Sequence, residues 1–458
     1  MLMVTLFIFS IFIIFQILYI FIPIFLVSDK NDVVLTSKEK SITILIPAYN
    51  EEKVINHCLK GIQNVNYTNV EAIFINDGST DGTFDLLDSL IKLQPVRRTK
   101  QGILTHKKIK GIYQSKLYPH MYVIDKVNGG KADALNAGIE VANNDIIVTL
   151  DADSVLDYNA MQAINTAFQD ETIIAAGGTV QIAQGFHGNY LHPQPTFIIS
   201  GIIRFQIIQY FTAFYLHKFT QMKFKSITVI AGAFGAFRKY ALLEANGYRN
   251  TVGEDMDITL RIQSLIKTKY KKSRMIVVPH AFCYTECPST LRDLFNQRIR
   301  WQKAFVDCVW IYRKSFFRKI GFAPSLYLLL DSLLLGTLNA FVMLLIPLTF
   351  FITPNNYWIP VGLFSFTFLL ATYQSIAAIL ISRRFGVKYT LQDYAKISTF
   401  IPLEIITYRL LGIAFVTMGT ILYLKSKDGW HVSRRVGIGY QTYEKNEESV
   451  ESRRRMMS

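Results

Sequence analysis

Residues 41–52 read SITILIPAYNEE. Aliphatic and β-branched side chains run to Pro47. A polar turn, Ala48-Tyr49-Asn50, then leads into Glu51 and Glu52, which suit the first turn of a helix. Three further segments repeat this grammar. EAIFIND (residues 71–77) ends at the turn Gly78-Ser79-Thr80, MYVIDK (121–126) leads to NGGKADALNAGI (128–139), and DIIVTL (145–150) ends in Asp151-Ala152-Asp153. Strands alternating with helices, with polar motifs at the strand carboxyl ends, predict an open parallel α/β sheet that binds ligands at those ends.

The polar motifs suit phosphate and sugar chemistry. Asp77, exposed by its Gly-Ser-Thr turn, can accept hydrogen bonds from a uracil or ribose; its bland reading is a helix cap. Asp151 and Asp153 place two hard carboxylates in one turn, a set that holds Mg²⁺ or Mn²⁺ when a diphosphate completes the shell. Gly129 and Gly130 permit close backbone approach, and Lys131 can reach a phosphate at the following helix N-terminus. In GEDMD (residues 253–257) a carboxylate can take a proton from an attacking hydroxyl. The same cluster also suits an ordinary helix start. NQRIRWQKAF (residues 296–305) joins Gln297, Arg300 and Trp301 in Q-x-x-R-W spacing. Arg forks onto a diphosphate, Gln donates and accepts, and an indole offers a flat face to a pyranose. The structural alternative is an amphipathic helix with a buried Trp.

The chain has 458 residues, 50% of them hydrophobic, and a net charge of +15. Such charge fits nucleic acid, an anionic membrane face or anionic substrates. With apolar runs of spanning length, roughly 20 residues or more, and no nucleic-acid module, the membrane reading prevails. Residues 1–27 form one apolar run with no basic start, expected to be a retained transmembrane helix. Lys30, Lys38 and Lys40 follow it, so the N-terminus is expected outside and the next domain, residues 41–320, in the cytoplasm. After the linker 28–40 and that domain comes a membrane region, 326–424, with segments 326–352, 358–382 and 398–424, then a basic cytosolic tail, 425–458. Segment 398–424, interrupted by Glu404 and Arg409, is expected to be interfacial or re-entrant. The insertion 93–120, carrying Arg97, Arg98, Lys100, Lys107, Lys108, Lys110 and Lys116, is expected as a solvated loop or hairpin, with anionic lipid headgroups as the functional alternative. The scattered cysteines Cys58, Cys283, Cys287 and Cys308 suit reduced thiols, not zinc.

Taken in order, PAYNEE, NDGSTDGT, NGGKADALNAGI, LDADS, GEDMD and QRIRW closely resemble the processive, inverting family 2 glycosyltransferases, among them cellulose, hyaluronan and poly-N-acetylglucosamine synthases. The likeness covers about residues 41–305 and is strongest to the poly-N-acetylglucosamine type, enzymes of biofilm or capsule polysaccharide biosynthesis. It implies a GT-A fold, a UDP-sugar donor with UDP-N-acetylglucosamine favoured, a growing polysaccharide acceptor, a bilayer around the flanking helices, and a Mg²⁺ or Mn²⁺ cofactor. It leaves room for a small accessory membrane subunit and implies no nucleic acid. Tyr49 and Glu51 match nucleoside-binding positions, Asp77 the uridine-binding Asp, and Lys131 a phosphate-side Lys. Asp151 and Asp153 match the metal motif, with Asp153 as direct ligand, and Asp255 the catalytic base. Gln297, Arg300 and Trp301 match the motif that closes over diphosphate and acceptor. Residues 231–238, AGAFGAFR, resemble the acceptor-side loop. Two departures stand out: NDGS where many members have DDGS, and VGED where cellulose synthases have Thr before the Glu-Asp pair. Two other functions remain open: transfer of a single sugar to a lipid, and a non-catalytic membrane scaffold or export component.

Overall fold

In the computed structural model of the protein, which describes residues 2–26, 38–189, 191–344 and 358–425, the segment 41–52 begins as the expected strand, β1 (Ile42–Ala48). Ile42 through Ile46 are fully buried, as in a strand covered on both faces. The one polar member, Thr43, donates to Glu71 Oε2 at 2.9 Å, so no hydroxyl is stranded there. β2 (Val70–Asn76) and β6 (Ile146–Leu150) flank β1 in parallel, with Ile44 opposite Ala72 and Val148. β5 (Met121–Lys126) pairs in parallel with β2.

The remaining strands of this sheet are β3 (Leu93–Pro95), β4 (Ile109–Ser115), β7 (Ser154–Leu156), β8 (Ile173–Ile182), β9 (Phe234–Arg238) and β10 (Arg274–Thr285). The sheet runs β3-β4-β5-β2-β1-β6-β9-β8-β10-β7. The four motif-bearing strands are parallel as expected, and antiparallel strands are added to them: β9 lies antiparallel between β6 and β8, and β4 and β7 run antiparallel to β5 and β10. Only the connections that carry a crossover helix force parallel pairing. The central β5-β2-β1-β6 block has those connections, and it gathers the four motif-bearing strand ends at one edge.

The basic insertion is ordered. β3 and β4 pair antiparallel, and Arg98 binds Glu71 Oε1 at 2.7 Å while its guanidinium lies 4.2 Å from the Tyr122 ring centroid. Between the strands, Glu140, 1% exposed, accepts the backbone N–H groups of Gly102, Ile103 and Leu104.

This sheet and its helices form one unit, Asn31–Gln194 with Ile227–Cys287. A second contains Met1–Lys30, Pro195–Ser226 and Pro288–Ser433. Among the described residues, three helices of the second are long and apolar enough to cross a membrane: Phe322–Leu344, Phe364–Arg384 and Leu391–Lys425; the N-terminal segment contributes an apolar helix, Leu2–Phe21. Leu391–Lys425, which contains the segment expected to be interfacial or re-entrant, is one helix continuous through Pro402. At about 1.5 Å per residue it is ample for one crossing. Arg409 Nε lies 3.3 Å from Glu404 Oε1, and Arg409 Nη2 donates to Ser375 Oγ, so the two ionisable groups that interrupt this helix pair with each other. Residues 28–37 of the linker, 345–352, the loop 353–357 and the tail 426–458 lie outside the described residues.

The helix Leu291–Tyr312 packs in this second unit against Leu391–Lys425, where Leu294, Tyr408 and Phe415 form a small core with Phe205 and Phe295. At Gly419 a Cβ would fall 2.6 Å from Gln302 Cβ, so a glycine is what lets these helices approach.

Candidate active site

The strand ends supply the site from the turn chemistry upward. After β1, Asn50 adopts φ +58°, and its Oδ1 accepts the Thr80 N–H at 2.8 Å. Glu52 Oε2 accepts the Gly82 N–H at 3.1 Å, and the Glu51 N–H donates to Thr83 Oγ1. The Tyr49-Asn50-Glu51 turn and the Gly78–Gly82 turn are thus zipped together. Tyr49 is half-buried and Glu51 is buried, both at the end of β1.

Asp77, expected exposed at the sheet edge, is instead buried, at 2% exposed. It receives the Lys126 ammonium, the Gly129 N–H at 3.0 Å and the Gly130 N–H at 2.7 Å. It therefore sits as the anion at the N-terminus of the helix Lys131–Val141, where free N–H groups and the helix dipole favour negative charge. Sequence reasoning missed Lys126. Its one signal was a lone basic residue closing an apolar strand.

Lys131, the first residue of that helix, reaches across to Asp151 Oδ1 at 2.6 Å and Glu254 Oε1 at 3.4 Å. Burial opposes its charge, but Asp151, Glu254 and Asp255 outweigh burial and hold its pKa above the ordinary lysine value. A Cβ on Gly232 would stand 3.1 Å from the Lys131 ammonium and 3.7 Å from Asp255 Oδ2, so glycine opens this crossing point. Asp255 is half-buried, with Oδ2 accepting the Gly232 N–H at 3.3 Å. Its neighbour Asp257 is fully buried between Arg249 and Arg261, at 2.5 and 2.6 Å. Of the two aspartates, Asp257 is a structural ion-pair member and Asp255 faces the loop.

Asp153 is 3% exposed, with the Ser154 and Thr285 hydroxyls each 3.4 Å from Oδ1. Among the described residues no three metal-ligating side chains converge, so the protein alone builds no cage. A carboxylate pair that leaves most of the shell to diphosphate oxygens and water is nonetheless the set a hard divalent cation accepts. The charges agree: Lys131 faces Asp151, Glu254 and Asp255, and Asp153 lies two residues from Asp151. The residues fit Mg²⁺ or Mn²⁺ brought together with a donor.

In the other unit, Thr290 caps the helix Leu291–Tyr312, its Oγ1 accepting the Asp293 N–H at 3.1 Å. Gln297, Arg300 and Trp301 follow at helical spacing on one face. Trp301 is 42% exposed, which excludes the buried-Trp reading. Its ring lies 4.0 Å from the guanidinium of Arg298, itself 5% exposed and donating to Gln209 Oε1 at 2.8 Å and Tyr408 Oη at 3.3 Å. Sequence reasoning passed over Arg298, although it lies inside the motif.

Comparison with known proteins supplies the family. Glycosyl transferase family 2 matches residues 43–244, and Glycosyl transferase family group 2 matches residues 146–380. A poly-beta-1,6-N-acetyl-D-glucosamine synthase of Staphylococcus aureus is 28% identical over 308 residues, covering 67% of this chain and 64% of the relative. The chain thus spans less than two thirds of that relative's length. A synthase of the same name from Staphylococcus epidermidis is 28% identical over 266 residues, covering 57% of this chain and 54% of the relative. Among solved structures, a mannosyltransferase from Pyrobaculum calidifontis in complex with GDP-Man and Mn²⁺ aligns with TM-score 0.51 at 16% identity. That alignment covers 92% of this chain and all of that one, a likeness of fold. With the match at residues 146–380 taking in half its length, the chain belongs to the family 2 glycosyltransferases.

Proposed function

We propose that the protein is a membrane-integrated, inverting glycosyltransferase that elongates a β-linked cell-surface polysaccharide from a UDP-sugar, with UDP-N-acetylglucosamine as donor, and that synthesis is coupled to export. The carrying observation is Asp255, a half-buried carboxylate held by the Gly232 N–H beside the Lys131 ammonium, at the carboxyl-end edge of the sheet. The relatives named for poly-β-1,6-N-acetylglucosamine synthesis support the choice of donor.

Asp255 takes the proton of the acceptor hydroxyl as that oxygen bonds to the anomeric carbon from the face opposite UDP. The bond from that carbon to the diphosphate breaks, and UDP leaves with its electron pair. A single displacement turns an α-linked donor into a β-linkage. Tyr49, Glu51 and Asp77 are assigned to the nucleoside, and Lys131 to the phosphate side, where it exchanges its carboxylate partners for the donor. Gln297 and Arg300 are assigned to the diphosphate, and Trp301 to the terminal acceptor sugar. A divalent cation on Asp151 and Asp153 would neutralise charge on the leaving diphosphate. Each preorganised donor aimed at developing charge is worth about 3 kcal/mol of barrier. The catalytic sheet is assigned to the cytoplasm and the apolar helices to the plasma membrane.

Purified full chain in nanodiscs, given a panel of UDP-sugars with Mg²⁺ or Mn²⁺, tests this reading. Release of UDP with a polymer that a β-1,6-specific hydrolase digests is the expected result. A product stopping at one sugar on lipid supports lipid glycosylation instead, and no UDP release from any donor overturns the reading.

A further inference from the structure

The loop Asn128–Gly130 is held by Asp77 and, from two sides, by Lys126, Asp133 and Lys107, which have no assigned role. From inside, Lys126 is completely buried, and its ammonium bridges Asp77 and Asp133 and also donates to the Val127 carbonyl at 2.7 Å. Asp77 in turn receives the Gly129 and Gly130 N–H groups, and its carbonyl accepts from Asn128 Nδ2 at 2.8 Å. From outside, the basic insertion folds over the loop. The Lys107 N–H donates to Asp133 Oδ2 at 2.9 Å, its ammonium donates to the Asn128 carbonyl at 2.6 Å, and the Val127 N–H donates to the Lys108 carbonyl at 3.0 Å. Fit is tight on this side: a Cβ on Gly129 would fall 2.3 Å from Asp133 Oδ1. Gly130, at φ +90°, hands the chain to Lys131.

We propose that Lys126, Asp133 and Lys107 are positioning residues that clamp the loop Asn128–Gly130 and so aim Lys131 at the donor's diphosphate. This rests on the glycosyltransferase reading above and gives the basic insertion a use beyond solvation. A buried ammonium shared by two carboxylates is costly to desolvate unless its geometry is specified, and here that geometry sets the start of one helix. Asp77 serves as the hinge between the nucleoside-side turn and the phosphate-side loop.

The test uses full chain in nanodiscs, with UDP binding by calorimetry, steady-state kinetics on UDP-N-acetylglucosamine, and thermal melts. Asp133→Asn keeps the volume and an acceptor for the Lys107 N–H but removes the charge facing Lys126. Lys107→Met removes only the surface clasp on Asn128. Each is expected to raise the UDP Kd and the donor KM about tenfold, the scale of one lost charge-assisted hydrogen bond. kcat is expected to stay within about twofold. In a Lys131→Met background neither change is expected to add to the loss, because the clamp acts through Lys131. Unchanged Kd and KM in both variants overturns the proposal, and so does a full additional loss in the Lys131→Met background. If Asp133→Asn melts early, Lys107→Met alone decides. A wild type that binds UDP without turning over UDP-N-acetylglucosamine sinks the donor assignment, while the clamp is still decided on the UDP Kd. A wild type that binds no UDP overturns both.

Discussion

Asp255 and Asp257 stand two residues apart in one helical turn and do opposite things. Asp257 points into the core between two arginines, whereas Asp255 points to the Gly232 loop. Asp255→Asn is expected to abolish turnover while keeping UDP affinity and melting temperature, because the amide fills the same volume but takes no proton. Elongation at the wild-type rate would make another group the base. Asp257→Asn is expected to act on stability instead, lowering it by up to about 3–5 kcal/mol, the cost of breaking a buried pair. Trp301 poses a similar choice. Its exposed ring stacked on buried Arg298 resembles a held platform. Trp301→Ala is expected to remove on the order of 1–3 kcal/mol of acceptor positioning, by analogy with bases stacked on aromatics. Polymer synthesis should fall while hydrolysis of the donor to free sugar and UDP persists, since water needs no stacking surface. Parallel loss of both activities with a lowered melt would leave Trp301 a packing role.

At the scale of elements, the turn after β6 and the helix Ile55–Gln63 carry separate predictions. Asp151 and Asp153 leave most of a cation's shell to the substrate, so EDTA is expected to stop the reaction and Asp153→Ala to weaken metal-dependent donor binding. Full activity in chelator would remove the cation from the mechanism. In Ile55–Gln63, burial and, secondarily, Lys60 depress the pKa of His57 from 6.5 to about 4. Between those values the unfolded chain binds a proton that the folded chain refuses. The stability contribution is therefore complete above 6.5 and is lost as pH falls through the window. Melting temperature is expected to drop on acidification from about pH 7 to about pH 5, and His57→Gln to flatten that slope. An identical slope in the variant would assign the acid sensitivity elsewhere.

At the scale of the whole molecule, the chain divides into a catalytic sheet and a helical unit that holds, among the described residues, three helices long and apolar enough to cross a membrane. Lys38 and Lys40 sit between the N-terminal helix and the sheet, which favours a cytoplasmic sheet. All four cysteines are buried and none forms a disulfide, and the labelling test uses a Cys-free background. Asp88 is exposed on the sheet unit, and Asp88→Cys in that background is expected to resist impermeant maleimide in intact cells and to label after lysis. Labelling in intact cells would invert the topology.

Amino-acid order alone determined the strands β1, β2, β5 and β6, the turns at their ends, the order of the acidic motifs and the long apolar segments. Each rests on short-range physics: side-chain alternation, turn stereochemistry, and the length needed to cross a bilayer. Only the tertiary structure decided that β9 enters antiparallel between β6 and β8, because strands distant in the chain pair according to packing of the finished sheet. It also separated Asp255 from Asp257, buried Arg298 against Gln209 and Tyr408, and buried Lys126 between Asp77 and Asp133. An ionisable side chain's partner is set by which surfaces close over it. In this chain Lys126 and Asp77 are forty-nine residues apart, a separation that no local pattern encodes.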